Sequence, residues 1–217
     1  MSARNIKKAA AAILLALGSI LSVRYALGFR NFVAFQEARS GARSIESGFQ
    51  VLEPRLVSAV RWYPSPSFIG ALAGLYLDMA AAANAYGTEA KREERDKYLD
   101  QAEAVLKRLL RKTPVRAAAW YDLSRVYFLY NFPVLQYGAK ARSCLQRAME
   151  LAPADEFITV NGLYLFLSQW ELFGEKERMF VRAKMADVSK DNPEFLEAVR
   201  KRLKDTYGDT RKLDGVL

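Results

Sequence analysis

Histidine is absent from all 217 residues, and cysteine occurs once, as Cys144. The first absence removes histidine-dependent triads, histidine metal ligands and the commonest general base. The second excludes an intrachain disulfide and any cysteine cluster for a metal. A lone cysteine beside Leu145 on an apolar helix face reads as a structural thiol. No strand pattern of any length occurs, so an all-α fold is expected. Acidic side chains are missing from the first 30 residues, where Arg4, Lys7, Lys8, Arg24 and Arg30 all fall. Those five cations carry more than half of the net charge of +9. They flank an apolar stretch instead of gathering on one folded face, which argues against a nucleic-acid partner. What the chain does have is 51% hydrophobic residues, enough for a real core.

The longest uncharged run is Ala9–Val23, fifteen positions preceded by three basic residues. A cleaved signal peptide is one reading, with Ala26-Leu27-Gly28 as the nearest small-x-small site. Arg24 and Tyr25 sit awkwardly before that site. An uncleaved anchor is the favoured reading, because extension to Phe29 gives 21 residues with one charge, close to the ~20 that span a bilayer. Arg24 can then snorkel to the interface, with Tyr25 and Phe29 in the aromatic belt. The positive-inside rule keeps the short N-terminus cytoplasmic and exports the remainder. In a bacterium that is a single-pass inner-membrane protein with a periplasmic C-terminal domain. Secretion to the periplasm after cleavage, or anchoring in a eukaryotic organelle membrane, are the alternatives. Residues 1–30 are thus assigned to the anchor, 31–51 to a helical connector and 52–217 to a helical domain.

Within that domain one spacing recurs four times: Leu52/Leu56/Ala59/Pro64, Ala102/Leu106/Leu109/Pro114, Ala141/Leu145/Ala148/Pro153 and Val181/Met185/Val188/Pro193. The prolines are 50, 39 and 40 residues apart. Such a period marks stacked helical units, each needing a neighbour to cover its apolar face. Helix pairs are expected over about 66–112, 115–151 and 155–190, with a capping helix over 194–207. The first copy, starting near Pro54, is expected to lack a preceding helix of its own. The charge-dense stretch Gly87–Lys97 reads as a solvated helix start or loop. Pro66–Tyr86 is rich in Ala, Leu and Gly, but Asp78 in its middle favours soluble packing over a second span.

The middle unit reads Trp120-x2-Leu123-Ser124-x2-Tyr127, then Ala141-x3-Leu145-x2-Ala148-x4-Pro153. This resembles the tetratricopeptide repeat (TPR), although periods of 39 and 40 exceed the usual ~34. Weaker copies carry Gly74 and Leu77 before it and Gly162, Leu163, Phe166 and Val181 after it, so the likeness spans about 52–193. The resemblance implies a short helical-hairpin solenoid in which the first helices of successive pairs line a concave groove for a peptide or a partner's helix. Leu75, Asp78, Tyr121, Arg125, Phe128, Tyr164 and Leu167 are the groove candidates it implies. Arg125 is the candidate carboxylate reader, by virtue of its planar fork. Tyr130, Phe132 and Tyr137 are aromatics that core spacing does not account for. The implied role is a membrane-anchored adaptor in a complex of bacterial envelope assembly: polysaccharide, pilus or outer-membrane protein. An obligate structural subunit is the alternative. A glycan-acting enzyme using Asp78, Glu89, Glu93, Glu94, Asp155 or Glu156 is a further one, without a recognised motif. No cofactor, metal or catalytic residue is expected.

Overall fold

All twelve apolar positions of the fourfold spacing are buried, none more than 4% exposed. The computed structural model describes residues 3–41, 45–84, 89–130, 138–168, 170 and 173–207. Nine α-helices lie among them and no strand: α1 (Ala3–Gly41), α2 (Ile45–Trp62), α3 (Pro66–Asn84), α4 (Glu89–Lys112), α5 (Ala117–Tyr130), α6 (Ala139–Leu151), α7 (Glu156–Ser168), α8 (Glu175–Asp191) and α9 (Pro193–Tyr207). The four copies fall on α2, α4, α6 and α8. Each of these helices ends just before its proline, which cannot continue the ladder of backbone bonds. The chain divides into two units, Met1–Val105 and Leu106–Leu217.

In the first unit α1 packs on α2, and α2 on α3. The expected boundary at residue 30 does not interrupt the helix, and no separate connector begins at 31. Residues 31–41 prolong α1, whose 39 residues make one rod of about 58 Å. The reason lies in a second stripe, Leu27, Gly28, Asn31, Phe32, Phe35 and Ala38, which turns inward at helical spacing. The first copy therefore does possess a preceding helix, and it is the continuation of the apolar one. Gly28 permits the approach: a Cβ there would lie 2.7 Å from Tyr63 Cβ and 3.2 Å from the Ala59 carbonyl oxygen. Polar groups add to the seam. The Arg24 Nε donates to the Trp62 carbonyl at 3.1 Å, and the Arg55 guanidinium donates to that of Ala34 at 2.5 Å.

Helix α2 begins at Ile45, before its expected start, and keeps Pro54 in its interior. The proline forfeits one backbone bond there, and the flanking Leu52 and Leu56, both fully buried, hold the helix on its neighbours. Helix α3 is apolar enough and long enough to cross a membrane, but more than half of it is buried, as befits a core helix. Ser65 caps it, accepting from the Phe68 N–H at 3.2 Å. Residues 89–97 open α4 as helix. Arg95, expected among solvated charges, is buried there and paired with Asp96 at 2.7 Å. It shares a face with Leu99 and Ala102, at i+4 and i+7.

In the second unit α5 packs on α6, α6 on α7, and α7 on both α8 and α9, which also touch one another. Trp120 donates through Nε1 to the Pro114 carbonyl at 2.7 Å, tying α5 to the corner before it. Ser124 is fully buried, its hydroxyl donating to the Tyr121 carbonyl at 2.6 Å. Gly162 admits Met149 against α7, since a Cβ would meet Met149 Sδ at 2.5 Å. Asp155 caps α7 through the Ile158 N–H at 2.9 Å. Cys144 is a buried thiol.

Two substitutions test this packing. Gly28→Val drives a branched side chain into backbone and a Cβ that cannot swing away. It is expected to cost about 1–3 kcal/mol, measured by chemical unfolding in detergent. Leu145→Ala, which opens a cavity on a fully buried face, is expected to cost roughly 2–5 kcal/mol.

Candidate functional site

The seven groove candidates divide between the units. In the first, Leu75 is buried in the core, and Asp78 is half-buried and paired with Arg39 at 3.4 Å. In the second, Leu167 is fully buried and Tyr121 nearly so. Leu75 and Leu167 thus face the core and present no surface to a partner. Arg125, Phe128 and Tyr164 are half-buried, with Phe128 and Tyr164 packed on the rim of the core. Tyr130 is half-buried, whereas Phe132 and Tyr137 lie outside the described residues.

Around Tyr121, Arg125 and Tyr164 the fold assembles a polar surface from three helices. Tyr121 on α5 stacks edge-on against Phe157 at 5.4 Å. One turn further, the Arg125 guanidinium meets Asp122 at 3.4 Å. On α7, Tyr164 lies beneath the Arg202 guanidinium, 4.5 Å from its ring centroid, and donates its hydroxyl to Thr206 Oγ1 at 3.3 Å. Arg202 also donates to the Oδ1 of Asn161, a buried amide. Arg202, Asn161 and Thr206 escaped the sequence reading. Arg202 and Thr206 lie 38 and 42 positions along the chain from Tyr164 and Asn161 lies within α7 itself, and α9 showed only a generic basic face.

Electrostatically the surface is cationic on an aromatic floor. Burial raises the Tyr121 hydroxyl above the usual tyrosine range; Arg125 and Arg202 oppose that rise and Asp122 adds to it. All three charges therefore sense this one ring. Two guanidiniums, each already oriented by a single oxygen partner, retain further N–H donors in fork geometry. That arrangement suits a carboxylate-bearing segment. A second paired-cation feature lies at Trp170, where Arg178 and Arg182 stack at 5.4 and 5.6 Å.

The first unit holds a cavity of about 350 Å³ between Phe49, Gln50, Met79, Ala83, Lys91, Glu94 and Tyr98. Its polar wall is self-paired. Lys91 meets Glu94 at 2.7 Å, and the Tyr98 hydroxyl donates to the same carboxylate at 3.4 Å. The Lys91 hydrogen bond holds Glu94 below the usual carboxylate range, while burial and then Glu94 push Tyr98 up. Of the other carboxylates weighed for catalysis, Asp155 is the α7 cap, and Glu89, Glu93 and Glu156 are exposed. Among the described residues, no group of three or more His, Cys, Asp or Glu side chains could hold a metal ion.

The raised Tyr121 gives a pH test. A group whose folded-state pKa lies above its unfolded value stabilises the fold below the unfolded pKa, here about 10. That contribution is lost as pH rises through the folded pKa. Unfolding midpoints of wild type are expected to fall more steeply above pH ~10 than those of Tyr121→Phe, which lacks the ionising hydroxyl.

Comparison with known protein families, with curated proteins and with solved structures returns no match for this chain.

Proposed function

We propose that this protein is a membrane-anchored, TPR-like adaptor that holds a partner protein on the α5–α7–α9 surface. The observation that carries the reading is the burial of all twelve positions of the fourfold spacing. Helices α2, α4, α6 and α8 use that face to pack, and the odd-numbered α5 and α7 carry Arg125, Phe128 and Tyr164 at partly exposed positions. In the second unit α5 contacts α7, and α7 contacts α9, a series of first helices of the kind a TPR groove is built from. Arg125 and Arg202 then read carboxylates of an extended or helical segment, and Phe128 and Tyr164 supply apolar contact.

The anchor is α1. Its apolar window has a mean hydropathy of 1.8 and only 6% of it is buried. Ile13, Leu14, Leu15, Leu17, Ile20, Leu21 and Val23 are all more than half exposed, a cost in water that lipid removes. The basic N-terminus supports an orientation with residues 1–8 in the cytoplasm and the helical units at the outer face of a bacterial inner membrane. There the protein serves an envelope-assembly complex as a holder of subunits, without chemistry of its own.

Two measurements address this. A photo-crosslinking residue at Arg125 or Tyr164, used in intact membranes, is expected to capture a discrete partner. Arg202→Glu is expected to reduce that capture roughly tenfold, the weight of one charged hot spot. Protease added to sealed spheroplasts is expected to digest the domain; a domain digested only after lysis would refute the orientation.

A further inference from the structure

The α2–α3 corner lies level with the upper end of the membrane helix, and it is built unlike the other proline corners among the described residues. Ala9–Val23 has no charge, but fifteen helical residues rise only about 22 Å, short of the ~30 Å hydrocarbon core. Twenty residues from Ala9 reach Gly28. At that level α1 is already in contact with α2: Arg24 binds the Trp62 carbonyl, the Tyr25 and Tyr63 rings stack edge-on at 5.1 Å, and Gly28 abuts Tyr63. Whatever slab α1 crosses therefore reaches Trp62 and Tyr63 as well.

Four exposed aromatics sit together at this level: Tyr25 at 49%, Phe29 at 48%, Trp62 at 41% and Tyr63 at 37%. Three cations flank them, Arg24, Arg30 and Arg61, all exposed. Rings with cations beside them are the composition of a bilayer interface with anionic headgroups. Among the described residues, the corners at Pro114, Pro153 and Pro193 carry no such group of exposed rings: Thr113 and Val115 flank Pro114, Ala154 and Asp155 follow Pro153, and Asn192 precedes Pro193.

The backbone at the corner is also prepared for a medium with little water. The Ala59 carbonyl accepts from the Tyr63 N–H at 2.9 Å, that of Tyr63 from Ser65 at 2.8 Å, and that of Ser65 from Ile69 at 3.1 Å. The Trp62 carbonyl is taken by Arg24, and Pro64 and Pro66 carry no N–H to satisfy. Unpaired backbone groups are what make loops costly near hydrocarbon, and these groups are paired.

We infer that the Trp62–Pro66 corner is a second membrane contact, inserted in the headgroup region of an anionic bilayer beside α1. It rests on the reading of α1 as a membrane span. Two contacts fix the first unit's tilt and rotation on the membrane, which a single helix cannot do alone.

The test uses the full chain in vesicles of phosphatidylethanolamine and phosphatidylglycerol. Trp120→Phe and Trp170→Phe leave Trp62 as the sole tryptophan. Its emission is expected to fall to roughly half with lipids brominated near the headgroup, as for an interfacial ring, and to change little with lipids brominated near the acyl terminus. If that variant does not fold, the difference in quenching between wild type and Trp62→Phe reads the same quantity. Leu15→Trp in the background lacking the other tryptophans reports on α1. Deep quenching at position 15 with no quenching of Trp62 overturns the corner contact and leaves the anchor standing. No quenching at either position overturns both. Trp62 shielded from aqueous acrylamide yet unquenched by lipid overturns the proposal in favour of a protein cover.

Discussion

The close seam between α1 and the last turn of α2 is the contact on which the first unit depends. It makes an apolar helix, which alone is only a greasy rod, into a structural member of a folded unit. Gly28 sets the distance, since any Cβ would strike Tyr63. Arg24 and Arg55 then tie side chains of one helix to backbone carbonyls of the other. Phe32 stacks on Phe68 at 4.5 Å, carrying the seam to α3. No break intervenes between Val23 and Phe35, so the apolar stretch and the seam belong to one helix.

Much of this was legible from the residues. Apolar side chains at i, i+4 and i+7, closed by proline, place helices and their buried faces with little ambiguity, because the helical period leaves one face to cover. The starts of α3 and α9 follow from Pro66 and Pro193 within a few residues. The seam was less visible because its stripe mixes Gly28 and Asn31 with Phe32 and Phe35. A glycine that admits a neighbour looks, in sequence, like a glycine that weakens a helix. Arg95 was misplaced for a similar reason: charge density marks a solvated segment on average, whereas the helical register decides each side chain.

The candidate surface was half legible. Tyr121, Arg125 and Tyr164 came from matching positions in successive pairs, and the fold brings them to one place. Arg202 and Asn161 could not be read in advance, because their pairing depends on how α9 lies against α7. Leu75 and Leu167 were misassigned to the groove. Both side chains are buried in the core of their units. The periods of 39 and 40 leave room for shifts in helix crossing.

The continuity of α1 matters most, because the proposed anchor, the first unit and the proposed membrane corner all use the same helix. Hydrogen exchange of the full chain in lipid nanodiscs tests it most directly. The account predicts slow amides without interruption from Ala9 through Phe35, with fraying only towards Gly41. A fast-exchanging segment between Val23 and Phe32 would contradict it, since anchor and unit would then be joined by a linker.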